Sequence, residues 1–365
     1  MSFPVVVRRW PDAMTVSLDS IIFGLQRFGG ISTYWHQLLM HWSPDFGHDC
    51  EVVLPNPVIS GLQLAPELDR LPVAHDPRNI RIARYLRAAP TACSIQHSSY
   101  YRAPASRRTA SVMTVYDFIY ERYRTGLARQ VHGIQKSRAL HRADVILSIS
   151  HSTRSDLLDR YPRIDPARVL VTHLAHDADV FRPLNADEER DSALADQVLF
   201  VGQRAGYKQF ALAVDALRTL PDLKLLIVGP PLTPEEEQSL EAALPGRYRY
   251  QDGVSNDALR RIYAQCFALI YPSDYEGFGL PVLEAMACGA PVVCSHVSSI
   301  PEVGGDAALY AERQHGEAYA AQLSALFDSE FNRRVRIDSL ANAERFSWRR
   351  CFSETAEAYR QLSSR

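Results

Sequence analysis

Two carboxylates, Glu276 and Glu284, flank a Gly-Phe-Gly loop in the stretch "YEGFGLPVLEAMACGAPVV" (275–293). An ionised carboxylate offers only acceptors and takes two O–H donors at once, so it suits sugar hydroxyls better than anions. Gly277 and Gly279 let backbone N–H groups approach a ligand closely. Free N–H groups at a helix start form a cradle for phosphate. The helix is expected to begin near Pro281, which puts Glu284 in its first turn. A ribose diol beside a diphosphate presents the matching pattern, with Glu284 on the diol and Glu276 on whatever lies beyond the phosphates. The same features also occur in ordinary apolar helices, so a second cluster has to decide.

"VGQRAGYKQF" (201–210) supplies it. Arg204 and Lys208, four residues apart, are expected at the start of a helix and on one face of it. Cations there oppose the helix dipole, and that local cost points to a negatively charged ligand such as a diphosphate. A solvated Arg–Lys pair is the alternative for this segment taken singly. "DAD" at Asp177–Asp179 matches an Asp-x-Asp metal pattern, but it reads as turn chemistry with Asp179 as a cap. No metal or other cofactor is required by this arrangement.

These groups need strand ends and helix starts to hold them. Short apolar runs, "VLFVG" (198–202), "KLLIVG" (224–229), "FALIYP" (267–272) and "PVVCS" (291–295), read as strands. Helical stretches at 209–220, 256–266 and 281–289 alternate with them, and "PPLTPEEE" reads as a polar loop. The first half has the same rhythm, with strands at 13–18, 51–55, 111–117, 143–150 and 168–174 and a glycine turn entering a helix at 29–42. Continuous apolar strands between helices imply parallel sheets covered on both faces. The polar segment 175–193 reads as a linker. The expectation is an α/β chain of two doubly wound, Rossmann-like domains, 1–180 and 181–345, facing a central cleft, with an amphipathic tail at 346–365. In such sheets ligands bind beyond the carboxyl ends of the strands, where Gly202, Gly229 and both clusters lie.

The 365 residues are 46% hydrophobic and 22% charged, a globular composition. The net charge of −2 supplies no global field for nucleic acid, so a charged ligand needs a local cluster. The six cysteines form no Cys-x-x-Cys pair and read as buried thiols in a reducing cytoplasm. Residues 1–12 hold no apolar run of signal-peptide length, and no segment approaches the ~20 apolar residues of a spanning helix. A cytoplasmic protein, at most peripheral to the inner membrane, is expected. "RNIRIARYLRAA" (78–89) places Arg81, Arg84 and Arg87 at helical spacing. It reads as an ordinary surface helix or as a basic one lying on anionic lipid.

"EGFGLPVLEAMACGAPVV" with "SSIPEV" (298–303) closely resembles the donor half of family 4 retaining glycosyltransferases of the GT-B fold. "VGQRAGYKQF" and "LLIVGP" follow in the expected order, and the bacterial polysaccharide mannosyltransferase branch is the most similar. The resemblance covers 198–310 strongly and the first half loosely, through "FGGISTYW", "HSSYY" and "ILSISHSTRSDL". It implies that the tail helix crosses back to the first domain. It also implies that Glu284 binds the donor ribose and that Glu276 contacts the transferred sugar, near backbone groups of Phe278, Gly279 and Leu280. Arg204 and Lys208 would bind the diphosphate, with Gly29 and Gly30 facing it from the first domain. Gly229 and the turn at Gly253 and Val254 would form the base pocket.

The family usually carries His-Asp where this chain has Tyr116-Asp117. Tyr116 is expected to replace the histidine's hydrogen bond, without an imidazole's proton chemistry. Asp117 either orients the acceptor or caps its loop. His97 and His151 are further acceptor-side candidates that also fit structural roles. The implied activity is retaining, metal-independent transfer of a hexose from a GDP-sugar to a surface polysaccharide of the O-antigen or lipopolysaccharide kind, or to a lipid-linked glycan. A UDP- or dTDP-sugar donor is the first alternative, and a catalytically silent nucleotide-sugar-binding subunit the second. A nicotinamide-dependent dehydrogenase fits poorly, because no Gly-x-Gly-x-x-Gly follows the first strand.

Overall fold

The computed structural model describes residues 14–27, 29–42, 50–59, 64, 68–204, 206–312 and 315–363. The reading of residues 1–12 therefore lies outside the described residues. The chain divides into two compact units, one of residues up to Leu174 together with Trp348 onward, the other Ala175–Ser347.

In the first unit seven parallel strands form one sheet: β1 (Val16–Asp19), β2 (Cys50–Asn56), β3 (Val73–Asn79), β4 (Ile95–Ser98), β5 (Ala110–Val115), β6 (Val145–Ser148) and β7 (Val169–Val171). Their order is β3-β2-β1-β4-β5-β6-β7. Helices α1 (Gly30–Met40), α2 (Gly126–Arg142) and α3 (His151–Arg160) belong to the crossovers. The second unit carries β8 (Gln197–Val201), β9 (Lys224–Val228), β10 (Tyr248–Gln251), β11 (Ala268–Tyr271), β12 (Val292–Ser295) and β13 (Leu309–Ala311). These are parallel in the order β10-β9-β8-β11-β12-β13. Its helices are α4 (Phe210–Arg218), α5 (Pro234–Ala243), α6 (Asn256–Gln265), α7 (Leu280–Ala287), α8 (Gly316–Ala325) and α9 (Ser329–Ala343). Each unit is thus a Rossmann-like doubly wound sheet. In both the order reverses at the first strand, which creates the crevice where such sheets bind ligands.

The central strands of the second unit are buried on both faces, which is why they are continuously apolar. Val198, Phe200, Leu225, Ile227, Ile270 and Val293 pack with Ala213, Leu217, Tyr319 and Leu323 from α4 and α8. All six cysteines carry free thiols, and five are buried. No helix among the described residues is long and apolar enough to cross a membrane.

The last helix, α10 (Trp348–Ser363), belongs to the first unit. Phe352 meets Trp42 edge-on at 5.6 Å. The Tyr359 hydroxyl lies 2.6 Å from His97 Nδ1, and His97 Nε2 lies 2.8 Å from Thr114 Oγ1. His97 is therefore a core residue that ties α10 to the sheet, and the acceptor-side reading of it is corrected. Phe346 packs instead on Phe278 in the second unit, at 5.7 Å.

Four further readings change. Residues 78–89 do not form one basic helix, because β3 runs through Asn79 and only Ile80–Ala83 is helical. The stretch 175–193 is no free linker. Phe181 packs on Tyr263 at 6.1 Å, and Glu188 pairs with Arg260. Within it the Asp177 carboxylate accepts the Asp179 N–H at 3.1 Å, so Asp177 rather than Asp179 is the turn's cap. "PPLTPEEE" is no plain loop either, since Thr233 and Glu236 form a capping box that opens α5.

Burial holds the His97 imidazolium pKa down to about 3. The unfolded chain therefore binds a proton below about 6.5 that the folded unit refuses, and stability is lost as pH falls through that window. Urea unfolding of the first unit should weaken by up to about 2 kcal/mol between about pH 6.5 and 5. In His97→Gln that slope should flatten; an unchanged slope would contradict the assignment.

Candidate active site

At the carboxyl ends of β8, β11 and β12 three loops converge on one ion pair. Lys208 Nζ donates to Glu276 Oε1 at 2.6 Å and to the Tyr271 hydroxyl at 2.7 Å. The ammonium also lies over the Tyr271 ring, 4.7 Å from its centroid. Glu276 is only 7% exposed. Removing such charges from water is costly unless each is well partnered, so a pair kept at a strand-end crevice marks a candidate functional site.

The loop around Glu276 is tied down through its backbone. The Glu276 N–H donates to Ser298 Oγ at 2.9 Å, and Ser299 Oγ bonds both the Glu276 and Phe278 carbonyls at 2.9 Å. Ser298 adopts φ of +50°, and Gln209, next to Lys208, adopts φ of +49°. They are the only non-glycine residues with positive φ among the described residues, and each conformation costs about 1–2 kcal/mol. Gln209 donates to the Asp274 carboxylate, and the Asp274 N–H donates to the Tyr207 carbonyl at 2.8 Å. Strain on both sides of the pair is thus over-determined by hydrogen bonds, as at sites where geometry matters more than stability.

Gly279, with φ of +103°, is the N-cap of α7, which begins at Leu280 with Pro281 second. Glu284 is therefore the fifth residue of α7, beyond its first turn, and the dipole expected to stabilise its charge does not reach it. Burial instead raises its pKa to about 7, the neighbouring Tyr263 hydroxyl lowering it and Asp177 raising it.

Arg204 departs further from expectation. α4 starts only at Phe210, after a 3-10 turn at Gly206–Lys208, so Arg204 and Lys208 share no helix face. Arg204 forks onto the Glu236 carboxylate at 2.8 and 2.9 Å and donates to the Pro230 and Pro231 carbonyls at 2.9 and 2.8 Å. It holds the loop after β9 against the start of α5. Gly202 and Gly229 touch where these loops meet. A Cβ on Gly229 would stand 2.3 Å from the Gly202 carbonyl oxygen. The Tyr250 hydroxyl donates to the Gly229 carbonyl at 3.2 Å, and the Gly253–Val254 turn follows the end of β10.

The first unit holds the remaining candidates. Gly29 caps α1 and Gly30 is its first residue, but the Ser32 N–H already donates to Gln26 Oε1 at 3.1 Å, so part of that cradle is filled from within. Tyr116 is buried, its hydroxyl accepting from the Trp35 indole at 2.6 Å, so the acceptor-side reading of Tyr116 is also corrected. Asp117 accepts the Ile119 N–H at 2.9 Å, and its own carbonyl accepts from Lys136 Nζ at 2.7 Å. It caps its loop. His151 is exposed at the start of α3, its ring 5.5 Å from that of His173.

Sequence reasoning missed Tyr271, Gln209, Ser298 and Ser299. The two serines stand in the quoted "SSIPEV", but a serine says nothing of its backbone angle.

A model of the family described as glycosyl transferases group 1 matches residues 186–343. Over 251 residues the chain is 33% identical to the O-antigen chain mannosyltransferase B of Escherichia coli, covering 64% of this chain and 65% of that protein, a little under two thirds of its length. Over 262 residues it is 32% identical to the alpha-maltose-1-phosphate synthase of Mycolicibacterium smegmatis, covering 64% of this chain and 67% of that one. The fold matches the sucrose-phosphate synthase of Thermosynechococcus elongatus with a TM-score of 0.73 at 18% identity, over 96% of this chain and 100% of that one.

The contact at Gly229 gives a direct check. Gly229→Ala should destabilise the second unit by about 1–3 kcal/mol in thermal unfolding, because overpacking against backbone has no flexible atom to move. An unchanged midpoint would mean that the two loops do not touch.

Proposed function

The chain belongs to glycosyl transferases group 1, and from that premise we propose that it moves a hexose, mannose or a close relative, from a GDP-linked donor to a growing surface polysaccharide or lipid-linked glycan. The mannose and polysaccharide parts lean on the likeness to an O-antigen chain mannosyltransferase. The observation that carries the reading is the 2.6 Å Lys208–Glu276 pair beside the α7 start.

The departing group is a nucleoside diphosphate. Its charge grows in the transition state, where fixed donors count most. In this reading Lys208 and the amides of Gly277, Phe278, Gly279 and Leu280 stabilise that charge. Glu276 accepts hydroxyls of the transferred sugar, and Glu284 accepts the ribose diol. Arg204, balanced by Glu236, holds the phosphate loop in shape and adds charge from its edge. Gly202, Gly229 and Val254 shape the nucleotide's seat. No metal is needed, because the cations and amides take its part. The configuration is retained by same-face attack, with the departing phosphate accepting the acceptor's proton. Asp117 keeps its capping role, and His151, exposed at the start of α3, is the side chain left for the acceptor.

A panel of GDP-, UDP- and dTDP-sugars, measured by calorimetry and by slow donor hydrolysis, tests the reading. GDP-mannose should bind best. Glu276→Ala should slow turnover by roughly 10²-fold while leaving donor affinity nearly intact. Preference for UDP-sugars would overturn the donor, and no binding at all would overturn the activity.

The Glu284 pKa adds a pH test. The carboxylate accepts from a diol with both oxygens only when ionised, so GDP-mannose affinity should rise about tenfold from about pH 6 to 8 if the ionised form alone binds. Glu284→Gln should bind weakly and lose that rise. A pH-independent wild type would remove Glu284 from the ribose.

A further inference from the structure

Tyr271 ends β11 and is the third member of the Lys208–Glu276 site. It is only 1% exposed. Its hydroxyl oxygen accepts from the Lys208 ammonium at 2.7 Å, and the same ammonium lies over its ring. A phenol also has a proton to give. That proton meets no acceptor at hydrogen-bond distance among the described residues. Burial, and next the Glu276 carboxylate beside it, hold the Tyr271 pKa well above the ordinary tyrosine value. The hydroxyl therefore keeps its proton, and a buried donor stands unspent next to an acid. An unspent buried donor costs free energy and asks for a second state in which it is used.

Donor binding supplies that state. Lys208 is the one side chain that donates to the Glu276 carboxylate among the described residues. Once a diphosphate draws the ammonium away, a buried carboxylate is left without its cation. Removing one partner of a buried pair is costly, because the other charge stays desolvated. A second donor has to take the place of the ammonium.

The other polar groups of these loops are committed elsewhere. The Glu276 N–H is held by Ser298 Oγ, and the Ser299 hydroxyl is spent on the Glu276 and Phe278 carbonyls. The Gln209 amide is spent on Asp274. The Tyr271 hydroxyl remains, already in contact with the departing ammonium and beside the acid it leaves.

We propose that Tyr271 is a positioning residue that hands Glu276 over from cation to substrate. In the empty site its hydroxyl accepts from Lys208. When the ammonium turns to the diphosphate, the hydroxyl turns its proton onto Glu276. The carboxylate stays ionised and oriented, with lone pairs left for the hydroxyls of the transferred sugar. No proton changes owner; only hydrogen bonds are exchanged. The inference rests on the reading of this site as the seat of a nucleoside-diphosphate sugar. A hydroxyl that only props Lys208 would stabilise the empty site alone. Its removal would then free the cation and leave diphosphate binding equal or stronger. The handover requires the opposite sign.

Calorimetry of GDP with the full chain separates the two. Tyr271→Phe keeps the ring beneath the ammonium and removes both halves of the exchange. It should bind GDP about tenfold more weakly than the wild type, the scale of one hydrogen bond to a charged group. In the Glu276→Ala background no carboxylate is left to hold, and adding Tyr271→Phe should cost nothing. Damage to the fold would instead appear in both backgrounds. Equal or tighter GDP binding by Tyr271→Phe overturns the inference, and so does the same loss with and without Glu276. If neither the wild type nor Glu276→Ala binds GDP, the proposed donor fails and takes the handover with it. GDP binding that is indifferent to Tyr271 removes the handover alone.

Discussion

The second unit is organised around a buried charge that has one short-range answer. Glu276 lies at the carboxyl end of β11 among residues that exclude water, and Lys208 reaches it from the loop after β8. Leaving either charge unpaired there carries a desolvation cost. The pairing fixes how the ends of β8 and β11 meet, and Ser298 and Ser299 bring in the loop after β12. The strained backbones of Gln209 and Ser298 make sense only against this constraint, since relaxing either would pull a partner away. Stability is given up locally to hold a cation, an acid and a helix start in one place.

The first unit uses buried polar groups differently. Arg102 bridges Asp19 at 2.9 Å and Asp76 at 2.7 Å, joining β1, β3 and the loop after β4. His97 joins β4 to β5 and α10. These groups pair with one another and lock strands and the final helix together. The Lys208–Glu276 pair differs in position, at the ligand-binding edge of its sheet, and in the strain gathered beside it.

Much of the architecture was legible because doubly covered parallel strands must be apolar throughout, as "VLFVG" and "LLIVG" are. β4, reading Ile-Gln-His-Ser, was not, because His97 and Ser98 are bonded by partners no local pattern reveals. β10, reading Tyr-Arg-Tyr-Gln, was not either, because it is an edge strand with Arg249 and Gln251 exposed. The pairing partners Glu276 and Lys208 stood out in the sequence, because their types are odd for their surroundings. It misled at Arg204, since Glu236, the residue that claims it, is thirty-two positions away. It misled again at Glu284, where a helix starting one residue early carried the acid past the first turn and turned a charge-stabilising setting into one that favours the neutral form. The capping box at Thr233 could have been read from Thr-Pro-Glu-Glu alone.

If Glu276 neutralises Lys208 while the site is empty and yields to a sugar when the donor binds, the acid competes with diphosphate for one ammonium. Affinity for plain GDP, which has no sugar to reward the acid, isolates that competition. Calorimetry of GDP with the wild type and Glu276→Gln should show the variant binding GDP more tightly. Equal or weaker binding by Glu276→Gln would mean that Lys208 does not meet the diphosphate, and the account of the site would fail.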